Sequence, residues 1–340
     1  MSAASYNRLG SNRLGRTEVR VGALGFGAAA IGNLYRPVED ATAAATLKAA
    51  WDGGIGYFDT APRYGQGLSE RRIGTLPANA VLSTKVGRVL TPIAPPPPGT
   101  ERHGFVDGDP FEEHFDYSYS GIMRSFEDSL KRLKRERIDI ALVHDLGMET
   151  HGSGNGFHLE TFLRGGLLAL QNLKTQGLIG AIGLGVNETA ICDTIMSRAD
   201  IDAILLAGRY TLLEQTPLDG FFDRCTARGM SVIAAAPFNS GLLAGGAHFN
   251  YAAPPAEIVE RVRRIEAVCA AHDVPLAAAA IQFPGHHPVV ASTVVGMARP
   301  EEVARNLSLF SHPIPAALWR DLKTAGLLRA DAPVAEPARV

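Results

Sequence analysis

Eight short apolar runs recur along this chain, and the segments between them carry helical period. The runs are VGALGFG (21–27), IGYFDTA (55–61), AVLSTKVG (80–87), IDIALVHD (138–145), IGAIGLG (179–185), AILLAGRY (203–210), MSVIAAAPF (230–238) and VVASTVVG (289–296). Most are continuously apolar rather than alternating, which is how strands covered on both faces read. The intervening EDATAAATLKAAWDGG, SERRIGTL, YSGIMRSFEDSLKRLK, TFLRGGLLALQNLKTQG, ETAICDTIMSR, LEQTPLDGFFDRCTARG, EIVERVRRIEAVCAAHD and EEVARNLSLF segments have the spacing of amphipathic helices. Ile122, Phe126, Leu130 and Leu133, for example, fall on one face. Strand and helix in eightfold alternation predict an α/β protein built as a parallel (β/α)8 TIM barrel. A doubly wound sheet is the rival, but it would be expected to carry a glycine-rich phosphate turn. GALGFGAAAIG lacks that spacing, and no Walker motif is present.

The 340 residues suit one barrel domain, with a core over about 17–312 and flexible N- and C-terminal tails. The segment NRLGSNRLGRTEVR before the first run is expected to cap the barrel bottom as a hairpin or loop. Three stretches are long for βα loops: 88–117 with the run Pro95 to Pro98, 146–160, and 240–256. All follow strand C-terminal ends, the mouth of a barrel, where long loops are usually lids or substrate walls.

Bulk properties exclude several roles. A formal charge of −2 gives no electrostatic reason to bind nucleic acid or an acidic membrane. The basic run at 131–137 closes an amphipathic segment and reads as a solvated helix face. No apolar run approaches membrane-spanning length, and MSAASYNRLGSNRLGR lacks the apolar centre of a secretory signal. Cys192, Cys225 and Cys269 are scattered and odd in number, so no disulfide framework or metal site is expected, and a cytoplasmic setting fits. There is no HExxH or GxSxG. A glycosidase carboxylate pair is not excluded by counting acids.

The chemistry gathers at three run ends. Asp59 and Tyr64 lie in FDTAPRYG, Lys85 in VLSTKVG and His144 in IALVHD. In a barrel these ends are angular neighbours. A carboxylate, phenol, ammonium and imidazole without a metal or nucleophile form a proton-transfer set suited to hydride chemistry on a carbonyl or alcohol. A phenol near pKa 10 is a poor base until a neighbouring ammonium favours the phenolate. Lys85 could supply that charge, with Asp59 orienting it and His144 hydrogen-bonding the substrate oxygen. Singly, each residue has a plainer reading: a packing Tyr, an ordinary Lys–Asp salt bridge, a structural His. Their coincidence on successive strands is what favours function.

FDTAPRYG with SE at 69–70, STK at 83–85 and LVHD at 142–145 resemble the aldo-keto reductase superfamily, from about the first strand to Asn306. That resemblance implies a barrel binding an extended nicotinamide cofactor without a Rossmann domain. Asp59, Tyr64, Lys85 and His144 match its catalytic tetrad. FDYSYSGIMRSFEDSLKRL, LLAGRYTLLEQ and AAAPFNSGLLAGG further resemble the branch of D-threo-aldose 1-dehydrogenases (L-fucose or L-galactose dehydrogenases). Aldo-keto-type pyridoxal 4-dehydrogenase is similar over the same segments. Both oxidise a cyclic hemiacetal to a lactone, so a sugar or pyridoxal-like small molecule is the implied substrate. A general aldehyde or ketone reductase is a further reading, and a non-enzymatic barrel subunit is disfavoured by the intact tetrad. A homo-oligomer is left open.

The same resemblance implies cofactor contacts. Asn187 in GLGVNE matches the carboxamide-binding position. Phe238, Ser240, Gly241 and Leu242 fall on the pyrophosphate loop, and Gly296, Arg299 and Asn306 fall on the adenosine segment. Ala207 and Ala235 stand where many relatives have Gln and a stacking Tyr, so Tyr210 is the implied substitute for holding the nicotinamide. Glu302 stands near where NADP-preferring relatives carry Arg, and Met297–Ala298 replace Lys–Ser. A 2′-phosphate wants cations, so NAD is expected over NADP. Arg299, which could pair with that phosphate, keeps NADP open.

Overall fold

The computed structural model describes residues 9–250 and 252–334. Eight strands close into a parallel barrel in sequential order: β1 Leu24–Gly27, β2 Tyr57–Asp59, β3 Val81–Val86, β4 Ile138–His144, β5 Ile179–Val186, β6 Ala203–Ala207, β7 Ser231–Ala235 and β8 Val290–Gly296. β8 pairs back onto β1, with Val294 opposite Gly25. All eight runs therefore become barrel strands, and helices lie between them as the periodicity predicts. The first run divides, because its opening residues belong to a hairpin below.

Side-chain alternation sorts every strand into two faces. Phe58, Leu82, Val86, Ala141, Val143, Leu184 and Leu206 face outward into the layer beneath the helices. Tyr57, Ile140, Leu142, Ala181, Leu205, Ile233 and Val294 face inward and fill the barrel. Leu14 and Val21 belong to this inner cluster and are fully buried. They reach it from an antiparallel hairpin, Ser11–Arg13 with Arg20–Gly22, which plugs the bottom as the sequence suggests.

Three stretches carry structure beyond the expected strand–helix pairs. The first is 88–117. Arg88–Pro92 pairs antiparallel with Phe111–Phe115, and Glu101–Arg102 with Phe105–Val106, so this stretch is a ribbon standing on the mouth. Residues 146–160 fold into short helices, Met148–His151 and Asn155–Thr161. The core does not stop at 312. A helix over Ala316–Thr324 buries Leu318, Trp319 and Leu322, and packing continues through Leu327, Leu328 and Ala332. The expected C-terminal tail is thus corrected over its first twenty or so residues, because those apolar side chains have a surface to cover. The expected N-terminal tail is corrected likewise over residues 9–16, where Ser11–Arg13 pairs in the hairpin and Leu14 is fully buried in the barrel, and the rest of the tail expectations, at 1–8 and 335–340, falls outside the described residues.

Among the described residues no helix is long and apolar enough to cross a membrane, and no group of three or more His, Cys, Asp or Glu is placed to hold a metal ion. The cysteines are free and buried.

Candidate active site

The inward-facing parity that fills the barrel also delivers the site. Tyr57 and Asp59, then Ser83 and Lys85, then Ile140, Leu142 and His144 share that face, so the last member of each set emerges at the mouth. The Lys85 Nζ donates to Asp59 Oδ2 at 2.7 Å and to the Thr60 carbonyl at 2.9 Å. The Ser83 hydroxyl donates to the other Asp59 oxygen at 2.7 Å, and the Tyr57 hydroxyl lies 2.9 Å from Ser83. Lys85 and Asp59 are almost wholly buried. Removing one member of such a pair typically costs about 3–5 kcal/mol, because the other charge is left unpaired. Burial works against the Lys85 charge, but Asp59 and Tyr64 outweigh it and hold the ammonium above its ordinary pKa.

The space Lys85 occupies is left by Gly185 on β5, paired with His144. A Cβ there would stand 3.2 Å from Lys85 Cε and 3.3 Å from Cδ. Tyr64 follows β2 in a turn, with its ring centroid 4.6 Å from Lys85 Nζ. The His144 ring meets it edge-on, at 6.0 Å between centroids and 84° between planes. Burial, reinforced by Arg88, Lys85 and Arg63, pushes the His144 imidazole well below its ordinary pKa against the opposing pull of Asp145. His144 is therefore neutral near pH 7, with one ring N–H to donate. The four expected residues do converge.

Tyr64, Lys85 and His144 line a cleft of about 750 Å³, with Asp59 held against Lys85. The turn after β2, the ribbon and the β4 loop supply side chains that sequence reading had not singled out: Arg63 from the first, Arg88 and Glu113 from the second, and Asp145 from the third. Arg88 donates to Glu113 Oε1 at 3.0 Å and to Asp145 Oδ2 at 2.6 Å, and its guanidinium lies 4.1 Å from the Phe115 ring centroid. Arg63 also pairs with Glu113. Asp145 Oδ2 lies 3.4 Å from His144 Nε2. Burial disfavours the Asp145 carboxylate, but His144 and Arg88 hold its pKa below the ordinary value. Arg63 and Asp145 sit inside the quoted motifs FDTAPRYG and LVHD, where a neighbour's charge was legible. Nothing local marks Glu113, since its place depends on ribbon pairing. The SE of the motif is structural: Ser69 donates to the Ala28 carbonyl at 2.9 Å, and fully buried Glu70 accepts from Thr84 at 2.5 Å and Arg132 at 2.6 Å.

The expected cofactor positions divide. Asn187 lines the cleft at the end of β5, and its amide reaches the Ala207 carbonyl at 3.4 Å. Phe238, Ser240 and Gly241 form the turn after β7, where Asn239, Ser240 and Gly241 run through positive φ of 46°, 58° and 98°. A Cβ on Gly241 would meet nothing nearer than 3.8 Å, and one on Gly296 nothing nearer than 3.9 Å, so bare backbone faces open space in this turn and at the end of β8. Backbone of this kind suits a pyrophosphate. The Leu242 side chain turns away into the outer core, which leaves only its backbone for such contact. Arg299 is exposed at the start of the helix Pro300–Phe310, and Asn306 is buried on it.

Tyr210 must be corrected. It is 1% exposed and packs against Phe222 at 4.8 Å and Phe283 at 5.0 Å, behind the barrel wall rather than in the mouth. Two aromatic neighbours on the helix side give its ring a better apolar site than the cleft. Glu302 also has a local task, accepting from the Ala298 amide at 2.7 Å and pairing with Arg36 at 3.2 Å.

A barrel with this mouth and this inward-facing set defines a class, and the chain belongs to the aldo/keto reductase family, matching it over residues 23–326. Members of the family use NAD(P), and the chain is an oxidoreductase. It is similar to pyridoxal 4-dehydrogenase of Microbacterium luteolum, at 45% identity covering 93% of this chain and 97% of that protein. It is also similar to D-threo-aldose 1-dehydrogenase of a Pseudomonas species, at 41% identity covering 90% and 94%. Among solved structures, aldo-keto reductase AKR11C1 from Bacillus halodurans has the same fold, with a TM-score of 0.73 at 23% identity over 98% of this chain and 100% of that one.

Proposed function

We propose that the protein oxidises a small, neutral cyclic hemiacetal to its lactone, with an aldose of the D-threo type as substrate. The observation that carries this is the cleft lining. Its cationic side chains are already matched: Arg63 and Arg88 by Glu113 and Asp145, and Arg209 by Glu149. An ionic ligand gains little there, whereas a ring bearing hydroxyls finds donors and acceptors on several sides.

Tyr64 accepts the proton of the anomeric hydroxyl. Lys85, held charged by Asp59, stabilises the phenolate form of Tyr64 that takes this proton, and neutral His144 donates to the substrate oxygen and orients it. The nicotinamide, when bound, supplies the hydride acceptor. Asn187 and the turn after β7 would hold it, with the backbone at Gly241 and Gly296 toward the pyrophosphate. NAD is favoured over NADP because Glu302, 39% exposed at the adenosine edge, would oppose a 2′-phosphate despite its partner Arg36.

Pyridoxal is the second reading. Phe105, Phe115 and Tyr35 put aromatic rings on the same cleft, a wall for a pyridine ring. The 45% likeness to a pyridoxal 4-dehydrogenase supports it as well.

The test is NADH or NADPH formation at 340 nm with L-fucose, L-galactose, D-arabinose and pyridoxal. Turnover of the sugars with NAD supports the aldose reading, and activity on pyridoxal alone moves the enzyme to the second. Tyr64→Phe should lower kcat by about 10²-fold or more, the scale of a lost acid–base group, with cofactor affinity unchanged. A Tyr64→Phe protein with full activity would sink the assignment.

A further inference from the structure

Glu113 is placed by the ribbon at the edge of the cleft with its side chain only 5% exposed. One carboxylate oxygen, Oε1, is spent on protein. It accepts from Arg88 at 3.0 Å, pairs with Arg63, and lies 3.8 Å from His103 Nδ1. The other, Oε2, is buried and has no hydrogen-bond partner among the described residues. A carboxylate offers about four acceptor sites, and leaving an oxygen unmet in a buried place is costly.

The grip on Oε1 keeps Oε2 as the oxygen left to a ligand. Arg88 is fixed from the far side by Asp145 at 2.6 Å and held against the Phe115 ring, so the fork that grips Oε1 is itself rigid. The nearby charges cancel, with Arg63 and Arg88 against Glu113 and Asp145. That balance favours a neutral donor over a cation.

We infer that Glu113 is a specificity residue whose Oε2 accepts a hydrogen bond from a substrate hydroxyl other than the one being oxidised. The inference rests on the hemiacetal reading above. It implies a substrate class with a second free hydroxyl beside the reacting ring carbon. The Arg88–Asp145 link also joins this acceptor to His144, so the hydroxyl it takes is registered against the oxygen that His144 orients.

The experiment pairs variants with monodeoxy analogues. For the best substrate, one deoxy analogue should be turned over by the native protein about tenfold less efficiently or worse, mainly through KM. In Glu113→Gln that penalty should shrink, because Arg63 and Arg88 hold the amide oxygen in the place of Oε1 and leave an NH2 donor where Oε2 accepted. Glu113→Asp keeps the charge that Arg63 and Arg88 need while withdrawing the oxygen, and should behave the same way. It serves as the control for a Gln variant that folds poorly. Cofactor affinity should be unchanged in both. A penalty equal in the native protein and in folded Glu113→Asp would overturn the proposal. If the native protein turns over none of the hemiacetals, the parent reading fails instead. Calorimetric binding of the same sugars and of pyridoxal to the cofactor-loaded protein then decides on Glu113: weaker binding in Glu113→Asp supports it, and equal or absent native binding overturns it.

Discussion

At the scale of single residues, what organises the site is parity along a strand. Asp59, Lys85 and His144 were legible because each closes an apolar run, and a run's end in a barrel is its mouth. Their order in depth was not legible, since it follows from register, which places Asp59 opposite Ser83 and Lys85 opposite Leu142. Nor was Gly185 distinguishable from the other glycines of IGAIGLGV. Only the fold shows that its missing Cβ is room for Lys85. Gly185→Ala should therefore fold, since β5 conformation there suits any residue and the methyl is small. It should press on the Lys85 stem, however, and shift the ammonium relative to Asp59 and Tyr64. The expected result is a fall in kcat of about tenfold or more with little change in melting temperature, since sub-ångström misplacement of a reacting set is costly to rate. Steady-state kinetics beside a thermal melt would check it. A Gly185→Ala protein with native kcat would mean that Lys85 tolerates displacement and is not held to close geometry. Tyr210 is the complementary lesson. A tyrosine just past a strand end reads as a mouth residue, but two phenylalanines on the helix side take it the other way.

Among elements, the eight strands and most helices could be read from hydrophobic period, and the additions to the mouth could not. The ribbon pairs residues about twenty apart across the Pro95 to Pro98 run, with no tight-turn signature to announce it. The helix Leu276–Gln282 escaped because LAAAAIQ is apolar all round and so shows no period. The β4 loop brings together rings distant in pattern. The His151 and His158 rings lie tilted with centroids 4.1 Å apart, Phe115 meets His151 at 4.4 Å, and the Tyr117 hydroxyl bridges the His144 carbonyl at 2.7 Å and His151 Nε2 at 2.9 Å. Burial, with His158 and Arg88, pushes the His151 pKa down to about 4, and burial lowers that of His158. Above about pH 6.5 these histidines are neutral folded or unfolded, so their packing stabilises the native loop in full. As pH falls below 6.5 the unfolded chain binds protons first, and that stability is lost progressively toward pH 4. Hydrogen-exchange protection over residues 146–162, taken relative to the intrinsic rate at each pH, should fall in this window before that of the barrel strands does. His151→Phe should flatten the response, and an unchanged acid slope in that variant would remove His151 as its source.

For the whole molecule, the question is where the barrel ends. Sequence reading placed the edge near residue 312, after the eighth strand–helix pair. The repeating unit was the signal being followed, and nothing in it asks for a ninth helix. Yet the signal for one was present: Pro315 ahead of Leu318, Trp319 and Leu322 at helical spacing, then Gly326 with φ +65° closing the turn. This helix covers the Ala256–Ala270 helix, and Asp321 is linked to His272 at 2.8 Å. Trp319 is 1% exposed, with its ring edge-on to His286 at 5.1 Å and tilted on Phe283 at 6.2 Å. Leu327 and Leu328 continue the cover, and the Arg329 amide donates to Gln215 at 3.2 Å, tying the chain end to the loop after β6. None of these groups lines the cleft. Trp319→Ala should therefore cost about 3–5 kcal/mol, the range for emptying a large aromatic site, while kcat and KM stay native at a temperature where the variant is folded. A chain ended at residue 312 strips the whole cover at once and should be recovered aggregated or with a greatly lowered melting temperature, because several fully buried side chains then face water. Denaturant melts and kinetics on the two proteins separate the possibilities. Native stability in the shortened chain would mean that the barrel closes its core without the last helix. A changed KM in Trp319→Ala would mean that the cover reaches the mouth through the β7 and β8 loops and takes part in shaping the site.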